Sequence, residues 1–458
     1  MRYGIIQFML KIGVSGVRGI VGESLTEEIV RNFASAFGTY LESGKVVVGT
    51  DSRPSKEKLK SVVFSGLNAC GCETVDIGLC PTPTIQLMVR ELKARGGIAI
   101  TASHNPIEWN GLKFIREDGI FLNEKQAQKL INIYENKNFK IAKPGQMTIN
   151  ATAADTHLAK ILNYIDVDLI KKKKFKIALD SCNGAGSIIT VKLLAALGCQ
   201  VIPINTNPDL PFPHPPEPIP ENLSELCKVV KGSKADIGFA QDPDADRLSI
   251  VSEKGEAIGE EYSLALATEY VLSKLKFELR TSKFVVTNLS TSKMIDDIAV
   301  KYGAEIIRTK IGEVHVAEKM KEVKAVIGGE GNGGIIVPEI GYARDSLAGM
   351  AVILEYLTSI KKPISSLAED LPKYYMIKDK FNLAPISYAG SVIEKVKEIY
   401  KNENLDAQDG VKVCFKDGWI HVRPSGTEPI LRIIVEGKNE IQVKRWLNQI
   451  RDLLSPKV

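Results

Sequence analysis

The amino-acid sequence predicts an α/β protein with three similar α/β units and a smaller C-terminal α+β domain. Three observations lead to this prediction. The chain has 458 residues, more than one hydrophobic core holds at about 100–200 residues per domain. Short apolar runs that end in polar loops recur along the chain in three pairs. From about residue 371 onward this pattern changes.

The paired runs define the three α/β units. In each pair the first run, together with the polar loop that follows it, spans 45–53, 176–184 or 283–291, and the second run, with its own loop, spans 97–106, 236–246 or 325–334. Helix-like stretches separate these runs, and apolar strands alternating with helices are typical of buried α/β sheets. Ligands of such sheets bind beyond the carboxyl ends of the strands. We therefore expect the loops after the second runs to converge on one cleft.

These patterns predict domains at 1–150, 151–255, 256–370 and 371–458. The segment 205–221 contains seven Pro residues and is predicted to be a loop in the second domain, because Pro interrupts both helices and central strands. In the fourth domain we expect a helix at 392–400 and strands at 411–415, 418–422 and 431–436.

The composition argues against several classes of protein. Hydrophobic residues make up 44% and charged residues 25%, as in ordinary globular proteins. The net charge of +5 is too thinly spread for a nucleic-acid-binding surface, and no apolar run reaches the ~18–20 residues that cross a bilayer. The N-terminal segment lacks a signal-peptide pattern, and the seven Cys lack zinc-site spacing. We therefore expect a cytoplasmic protein with reduced thiols that binds neither nucleic acid nor membranes.

A candidate nucleophile follows the second run of the first unit. Ser103 lies in the segment Thr-Ala-Ser-His-Asn-Pro at 101–106, which differs from the Gly-x-Ser-x-Gly elbow of hydrolases. Such a segment is either a turn with local hydrogen bonds or the position of a nucleophile or phosphoryl carrier. Lys113 follows closely and is a candidate general acid or base, or a phosphate ligand.

Three carboxylates follow the second run of the second unit. Asp residues occupy every second position, at Asp242, Asp244 and Asp246. In an extended loop, side chains at this spacing can face one hard cation such as Mg²⁺ or Mn²⁺. The spacing also begins like an EF-hand, with Glu253 at the twelfth position. Arg247 occupies the position that needs Gly, and the flanking segments are strand-like. We therefore reject the EF-hand and retain the magnesium site.

The loop after the second run of the third unit suits a sugar. It reads Gly-Gly-Glu-Gly-Asn-Gly-Gly at 328–334, and its glycines permit close approach of the backbone to a ligand. Glu330 accepts hydrogen bonds and Asn332 both donates and accepts them, which matches sugar hydroxyls. A phosphate loop is the alternative, but no Lys-Ser or Lys-Thr pair follows, so the segment is not a Walker A loop.

A fourth loop lies in the C-terminal domain. The segment Arg-Pro-Ser-Gly-Thr-Glu-Pro at 423–429 offers the guanidinium of Arg423, the hydroxyls of Ser425 and Thr427, and backbone N–H groups around Gly426. This set suits a phosphate group. Taken alone, the segment is equally typical of a plain turn.

Together the four loops resemble those of the alpha-D-phosphohexomutase superfamily, in order and spacing and over essentially the whole chain. The segments at 101–106, 242–247, 329–333 and 423–429 are similar to its phosphoserine, metal, sugar and phosphate loops. The segment Gly-Val-Ser-Gly-Val-Arg-Gly at 13–19 is similar to its N-terminal active-site segment. The first eight residues precede the usual start of the family, which makes Met9 an expected initiator.

The resemblance implies a fold of three similar α/β/α sandwich domains plus a smaller C-terminal α+β domain around a central cleft. It implies roles for individual residues as well. It implies a phosphorylated Ser103 that completes, with the three Asp, the site of one Mg²⁺ per chain. It also implies a hexose 1,6-bisphosphate as intermediate and activator. Arg18 would be an active-site base or transition-state contact, and His104 would support the phosphoserine. The implied substrate-binding residues are Arg247, Lys310, Glu330, Asn332, Arg423, Ser425, Gly426 and Thr427.

The implied function is a phosphohexomutase that interconverts hexose 1-phosphates and 6-phosphates, as a monomer or a homodimer. The 308–313 and 423–429 segments resemble phosphoglucosamine mutases, whereas the 328–334 loop lacks their usual Ser and His. That loop is similar to archaeal phosphomannomutase/phosphoglucomutase or phosphoglucosamine mutase members. We therefore expect glucose, mannose and glucosamine phosphates as substrates. The alternatives are a strict phosphoglucosamine mutase, a sugar-phosphate phosphatase and a non-catalytic phosphosugar-binding protein.

Overall fold

The computed structural model describes residues 10–14, 16–275, 283–382, 388–425 and 430–454, so Met9 lies outside the described residues. These residues form one sheet of seven strands, two of four strands and one of five strands, with helices packed on them. Among the described residues, no helix is long and apolar enough to cross a membrane.

The seven-stranded sheet belongs to the first unit. Its strands are β1 (Lys11–Gly13), β2 (Gly16–Ile20), β3 (Gly44–Thr50), β4 (Cys72–Leu79), β5 (Gly96–Ile100), β6 (Trp109–Arg116) and β7 (Met147–Ile149). They lie in the order β1-β2-β6-β5-β3-β4-β7, and β6 runs antiparallel to β5. The accompanying helices are α1 (Glu27–Tyr40), α2 (Lys56–Ala69), α3 (Thr82–Glu91) and α4 (Glu124–Glu135).

The second unit contains a four-stranded sheet. Its elements are α5 (Ala153–Tyr164), α6 (Val167–Lys173), β8 (Lys176–Asp180), α7 (Gly186–Ala196), β9 (Gln200–Ile204), α8 (Ser224–Ser233), β10 (Ile237–Gln241) and β11 (Leu248–Ser252). The strand order is β11-β10-β8-β9, with β11 antiparallel to β10. The proline-rich segment 205–221 is a loop that leads into a 3-10 turn at Pro220–Asn222.

The third unit contains the other four-stranded sheet. Its elements are α9 (Glu261–Leu275), β12 (Phe284–Asn288), α10 (Met294–Lys301), β13 (Glu305–Thr309), α11 (Glu313–Val323), β14 (Ile327–Glu330), β15 (Gly334–Ile336), α12 (Ser346–Ile360) and α13 (Ile364–Asp370). The strand order is β13-β12-β14-β15, with β15 antiparallel to β14.

The three sheets share one plan, which confirms the predicted repeat. Each contains three parallel strands (β5-β3-β4, β10-β8-β9 and β14-β12-β13) and an antiparallel strand at the same side of them (β6, β11 and β15). The connection into the antiparallel strand carries the Ser103 segment in the first unit, the three Asp in the second and the Glu330 loop in the third. The repeat therefore offers one functional loop from each unit at an equivalent position.

The C-terminal domain is the predicted α+β unit. Its elements are β16 (Tyr375–Asn382), α14 (Tyr388–Ile399), β17 (Asn404–Asp406), β18 (Val411–Phe415), β19 (Gly418–Pro424), β20 (Ile430–Gly437) and α15 (Glu440–Leu454). The strands form an antiparallel sheet in the order β16-β20-β19-β18-β17. The apolar face of α15 covers this sheet through Val443, Trp446, Leu447 and Ile450.

The second and third units share one continuous hydrophobic core. Helices α9 and α12 are buried along most of their length and pack between the two four-stranded sheets. Helices that are apolar on all sides are stable only inside a core. At the end of this core, Leu248 N donates a hydrogen bond to Gly333 O at 2.9 Å. Packing therefore fixes the Asp loop against the Glu330 loop, and the boundary predicted between these domains stays a prediction.

A buried carboxylate joins the C-terminal domain to the third unit. Glu436, in β20, is 1% exposed and accepts hydrogen bonds from Ser292 Oγ at 2.5 Å, Lys293 N at 2.7 Å and Trp419 Nε1 at 2.6 Å. Burial raises its pKa above the ordinary value. Beside it, Lys412 Nζ donates to Leu289 O at 2.5 Å. These contacts hold the segment that follows β12.

We expect Glu436→Ala to lower the thermal midpoint of unfolding. The change leaves two buried donors and one partly buried donor without their acceptor, at roughly 1–3 kcal/mol for each buried unsatisfied group. Differential scanning calorimetry measures the shift. The matched control is Glu440→Ala, because Glu440 lies nearby on an exposed helix end and pairs with Lys444 at the surface. Equal midpoints for the two variants would contradict the structural role of Glu436.

Candidate active site

The Ser103 segment forms a tight turn at the end of β5. Ser103 is 5% exposed and has a φ of 49°, a left-handed conformation that is uncommon for residues other than glycine. Its backbone N–H donates to Thr101 Oγ1 at 2.9 Å, and Thr101 Oγ1 donates to Asp51 Oδ2 at 2.6 Å. The hydroxyl of Ser103 is thereby held toward the three Asp, and Oγ donates to Asp242 Oδ2 at 2.9 Å.

Arg53 holds the backbone of this turn, and the sequence did not single it out. Its guanidinium is completely buried and ion-pairs with Asp51 at 3.0 Å. It donates to the backbone carbonyls of Ser103 and Asn105, each at 2.7 Å, and also to those of Pro106 and Trp109. Four carbonyls on one guanidinium fix the shape of the loop. The available signal was an Asp-Ser-Arg sequence that ends the first strand run of the unit.

The three Asp form a compact, buried cluster. Each of Asp242, Asp244 and Asp246 is at most 1% exposed, and one carboxylate oxygen from each lies within 4.8 Å of the others. Asp244 Oδ1 and Asp246 Oδ1 are buried without a hydrogen-bond partner. Unpartnered buried oxygens in a cluster of hard ligands suit Mg²⁺, so these residues fit the cation that the sequence predicts. The flanking elements β10 and β11 are strands, which confirms the rejection of an EF-hand.

Lys113 supplies positive charge to this cluster from β6 of the first unit. Its Nζ lies 2.7 Å from Asp244 Oδ2 and 3.6 Å from Asp246 Oδ2. Burial raises the pKa of Asp242 well above its ordinary value, and the other two carboxylates add to this rise. Burial also raises the pKa of Asp244, but the charge of Lys113 and the hydrogen bonds with Asp242, Lys113 and Thr82 together hold that pKa below the ordinary value.

His104 and Arg18 border the Ser103 hydroxyl. His104 Nδ1 lies 3.3 Å from Ser103 Oγ, and burial together with Arg247 and Arg18 lowers the pKa of His104 well below its ordinary value. Arg18, in β2, donates from NH1 to Asn105 Oδ1 at 3.2 Å. His104 therefore lies beside the Ser103 hydroxyl and Arg18 contacts the Ser103 segment, and the roles that the resemblance implies for them stay predictions.

The proline-rich loop forms a wall of the site that the sequence did not assign to it. Glu217 Oε1 accepts a hydrogen bond from Arg247 NH1 at 2.9 Å, and the ring of Phe212 lies 5.0 Å from the Arg53 guanidinium. His214 anchors the loop, with Nε2 at 3.0 Å from Asp180 Oδ2 and Nδ1 at 2.9 Å from Pro215 O. Both ring nitrogens face acceptors, which favours the imidazolium form. Burial lowers the pKa of His214, but Asp180, the Pro215 carbonyl and Glu225 together outweigh burial and raise this pKa above the ordinary value.

Glu330 is tied to the Asp cluster through Arg344, another residue that the sequence did not single out. Glu330 is 3% exposed and accepts a hydrogen bond from Arg344 NH1 at 2.7 Å. The same guanidinium contacts Asp246 Oδ2 at 2.5 Å and Glu313 Oε2 at 3.1 Å. Asn332 Oδ1 accepts from the backbone of Gly334 at 3.2 Å. A lone arginine ten residues beyond the loop carried no motif that would have identified it.

The glycines of the 328–334 loop make room for the protein itself. A Cβ atom on Gly331 would lie 1.9 Å from a carboxylate oxygen of Glu261, and one on Gly333 would lie 2.4 Å from Leu248 O. A Cβ on Gly334 would lie 2.2 Å from Arg344 Cδ. Our expectation that these glycines give a ligand access was therefore incomplete, because neighbouring protein atoms occupy the space beside them.

The fourth predicted loop is only partly described. Arg423, at the end of β19, pairs with Asp409 Oδ2 at 3.2 Å, and Asp409 Oδ2 also accepts from Ile311 N at 3.2 Å. The next backbone N–H, that of Gly312, donates to Glu330 Oε1 at 3.1 Å, so the loop before α11 connects Arg423 to the Glu330 loop. Lys310 is exposed in that connecting loop. Ser425 is described, whereas Gly426 and Thr427 lie outside the described residues.

Family models match the chain from end to end. All are described as phosphoglucomutase/phosphomannomutase domains: alpha/beta/alpha domain I at residues 9–141, domain II at 155–255, domain III at 260–375 and the C-terminal domain at 384–453.

Similar proteins agree with these models. A phosphoglucomutase/phosphomannomutase of Thermococcus kodakarensis is 39% identical over 95% of this chain and 96% of its own length. A phosphoglucosamine/phosphogalactosamine mutase of Sulfurisphaera tokodaii is 35% identical over 97% of this chain and 99% of its own length. The crystal structure of a phosphoglucomutase/phosphomannomutase family protein from Burkholderia thailandensis has a TM-score of 0.85 at 27% identity, covering 98% of this chain and 97% of that one. The chain therefore belongs to the phosphoglucomutase/phosphomannomutase family, which confirms the resemblance seen in its motifs.

We expect Arg53→Met to destabilise the protein strongly. Removing one partner of a buried ion pair leaves Asp51 as an uncompensated charge, which typically costs about 3–5 kcal/mol. The midpoint of urea or thermal unfolding measures this loss. Arg95→Met is the control, because the Arg95–Glu117 pair in the same unit is exposed. If both variants unfold like the wild type, Arg53 does not hold the Ser103 turn.

We expect the stabilising effect of His214 to depend on pH. Its pKa is raised above the ordinary value of 6.5, so the His214–Asp180 pair stabilises the folded state fully below that value. The contribution is lost as the pH rises through the raised pKa. Thermal midpoints of the wild type and His214→Gln should therefore differ more at about pH 6 than at about pH 9.

The matched control for this experiment is His421→Gln. The pKa of His421 is lowered to about 4 by burial, so this ring stays neutral across the same range. At about pH 6 the ring is largely protonated only in the unfolded state, so the contribution of His421 to stability should be larger at about pH 9 than at about pH 6, the reverse of His214. A His214 effect that does not decrease from about pH 6 to about pH 9 would contradict the assigned imidazolium.

Proposed function

We propose that this phosphohexomutase transfers a phosphoryl group between the 1- and 6-positions of a hexose, with Ser103 as the carrier. The observation that carries the proposal is the placement of the Ser103 hydroxyl against a buried cluster of three carboxylates, 2.9 Å from Asp242. A serine oxygen beside a hard-cation site is an arrangement that suits phosphoryl transfer. Asp242, Asp244 and Asp246, with the phosphorylated Ser103, would hold one Mg²⁺.

The proposed reaction has two transfers that balance. In the first, the bond between phosphorus and Ser103 Oγ breaks while a bond from phosphorus to the free sugar hydroxyl forms, which gives a hexose 1,6-bisphosphate. The sugar then presents its other phosphate, whose bond to sugar oxygen breaks as a new bond to Ser103 Oγ forms. The product is the isomeric monophosphate, and the serine is phosphorylated again. Bound Mg²⁺ would neutralise charge on the transferring group.

Three residues are candidates to handle protons and charge in these transfers. Each transfer takes a proton from one hydroxyl and supplies one to the leaving oxygen. His104 Nδ1 is 3.3 Å from Ser103 Oγ, within reach of the proton on that oxygen. Lys113 approaches the same cluster from β6, and Arg18 contacts the Ser103 segment through Asn105. We assign proton exchange at Oγ to His104, and contact with the transferring group to Lys113 and Arg18.

The remaining residues would hold the sugar and its second phosphate. Glu330 and Asn332 would contact sugar hydroxyls, and Arg247 and Lys310 would contact the substrate at the rim. Arg423, Ser425, Gly426 and Thr427 would bind the phosphate that is not reacting. Because the sugar binds in two orientations, no single partner can read the 2-position in both.

We therefore propose that glucose, mannose and glucosamine phosphates are all substrates. One relative is named for glucose and mannose phosphates, and the other for glucosamine and galactosamine phosphates. A strict phosphoglucosamine mutase is not favoured over this broader function. A phosphatase would share the phosphoserine but release inorganic phosphate, so the products distinguish the two activities.

We expect Ser103→Ala to lose at least about 10³-fold in turnover because the covalent carrier is removed. The assay supplies glucose 1-phosphate, Mg²⁺ and a catalytic amount of glucose 1,6-bisphosphate, and measures both glucose 6-phosphate and inorganic phosphate. Mass spectrometry after incubation with the bisphosphate should find phosphate on the peptide that contains Ser103.

The control for that experiment is Ser391→Ala, since Ser391 is an exposed serine on α14. It should retain wild-type activity and the phosphorylated peptide. Near-full isomerisation by Ser103→Ala would refute the phosphoserine carrier. Release of inorganic phosphate in place of glucose 6-phosphate would refute the mutase in favour of a phosphatase.

A further inference from the structure

Arg344 is a buried cation shared by three carboxylates from two units. It lies just before α12 and is 8% exposed. Its guanidinium contacts Asp246 of the metal loop at 2.5 Å, Glu330 of the sugar loop at 2.7 Å and Glu313 of α11 at 3.1 Å. Arginine presents its donors in a rigid planar fork, so one side chain fixes the relative positions of all three acceptors. A shift of the metal loop would therefore also shift Arg344 and, with it, Glu330 of the sugar loop.

The orientation of Glu330 depends on this contact. Its Oε1 accepts hydrogen bonds from Asn288 Nδ2 at 2.7 Å and Gly312 N at 3.1 Å, while its Oε2 accepts from Arg344. A carboxylate has about four acceptor positions, and these donors fill three of them. The remaining position belongs to Oε2, the oxygen that Arg344 holds. Asn288 and Gly312 hold Oε1, and Arg344 holds the oxygen that is left to accept from a ligand, so Arg344 helps to set the direction of that acceptor position.

Arg344 also explains why residue 334 is a glycine. A Cβ atom there would lie 2.2 Å from Arg344 Cδ and 2.9 Å from Arg344 Cγ. The φ of Gly334 is not in the left-handed region, so its backbone accepts other residues. The glycine is thus required by the space that Arg344 fills.

We propose that Arg344 is a positioning residue that aims Glu330 at the sugar and links sugar binding to the metal loop, with Gly334 leaving it the necessary room. The proposal rests on the proposed function, because it takes Glu330 as a sugar ligand. It assigns to Arg344 two effects of opposite sign. The fork favours sugar binding by orienting Glu330, whereas the positive charge beside Asp246 opposes binding of a cation at the three Asp.

Two substitutions separate the fork from the charge. Arg344→Met removes both, so glucose 1-phosphate should bind roughly tenfold or more weakly. Mg²⁺ should then bind about threefold or more tightly, because an opposing charge is gone. Arg344→Lys keeps the charge but cannot reach three carboxylates, so it should weaken glucose 1-phosphate similarly while Mg²⁺ affinity stays near its starting value.

Isothermal titration calorimetry measures both affinities, with MgCl₂ and glucose 1-phosphate as the probes. All variants are made in the Ser103→Ala background, which stops turnover so that binding is measured alone. Weaker binding of both probes to Arg344→Met would mean a merely structural role and would overturn the proposal. A background protein that binds no glucose 1-phosphate at all would overturn the proposed function, and this inference with it.

A double-mutant cycle with Gly334→Ala tests the steric part independently. Alone, Gly334→Ala should displace Arg344 and weaken glucose 1-phosphate binding by a similar factor. Combined with Arg344→Met it should add little, because the side chain it displaces is already gone. Gly232→Ala is the control, since a Cβ there meets nothing within 4 Å. Fully additive effects of Gly334→Ala and Arg344→Met would overturn the assignment of Gly334 to Arg344.

Discussion

The burial of three carboxylates within 4.8 Å of one another is the constraint on which the rest of the site depends. Like charges this close, at most 1% exposed, are stable only beside positive charge. Lys113 comes from the first unit and Arg344 from the third, while the carboxylates belong to the second. The cluster of carboxylates and their cationic side chains is therefore complete only when three units are assembled. Because the carboxylates must lie beside Lys113 and Arg344, the loops of the three units have to face each other.

The repeated sheet plan explains how the chain meets this constraint. In each unit, the loop between one parallel strand (β5, β10 or β14) and its antiparallel neighbour (β6, β11 or β15) occupies the same position. The functional groups at that position differ among the units: a hydroxyl in the first, carboxylates in the second and a glycine-rich loop with Glu330 in the third. The shared core of the second and third units then holds two of these loops in a fixed relation. The groups of the candidate active site thus come from three units that share one arrangement of strands.

The sequence predicts those parts of the molecule whose signal is local. Apolar runs predict the strands, and the three Asp at period two predict a cation site because neighbouring residues suffice to define it. The sequence did not predict the buried roles of Arg53 and Arg344, because both residues contact partners that are distant in the sequence. Arg53 acts on carbonyls about fifty residues away, and Arg344 acts on an Asp from another unit. An arginine alone in a sequence does not reveal a buried role, since most arginines are exposed.

The 328–334 loop shows why local chemistry can mislead. Flexible glycines and a carboxylate suggest a loop opened for a ligand, and the sequence supports that reading. The space beside Gly331, Gly333 and Gly334 is instead filled by Glu261, Leu248 and Arg344. A glycine records that something approaches closely, but the approaching group can be protein as well as ligand. Here the glycines permit tight packing of protein atoms around Glu330. That packing holds the glycine-rich loop in place and fixes the position of Glu330 Oε2.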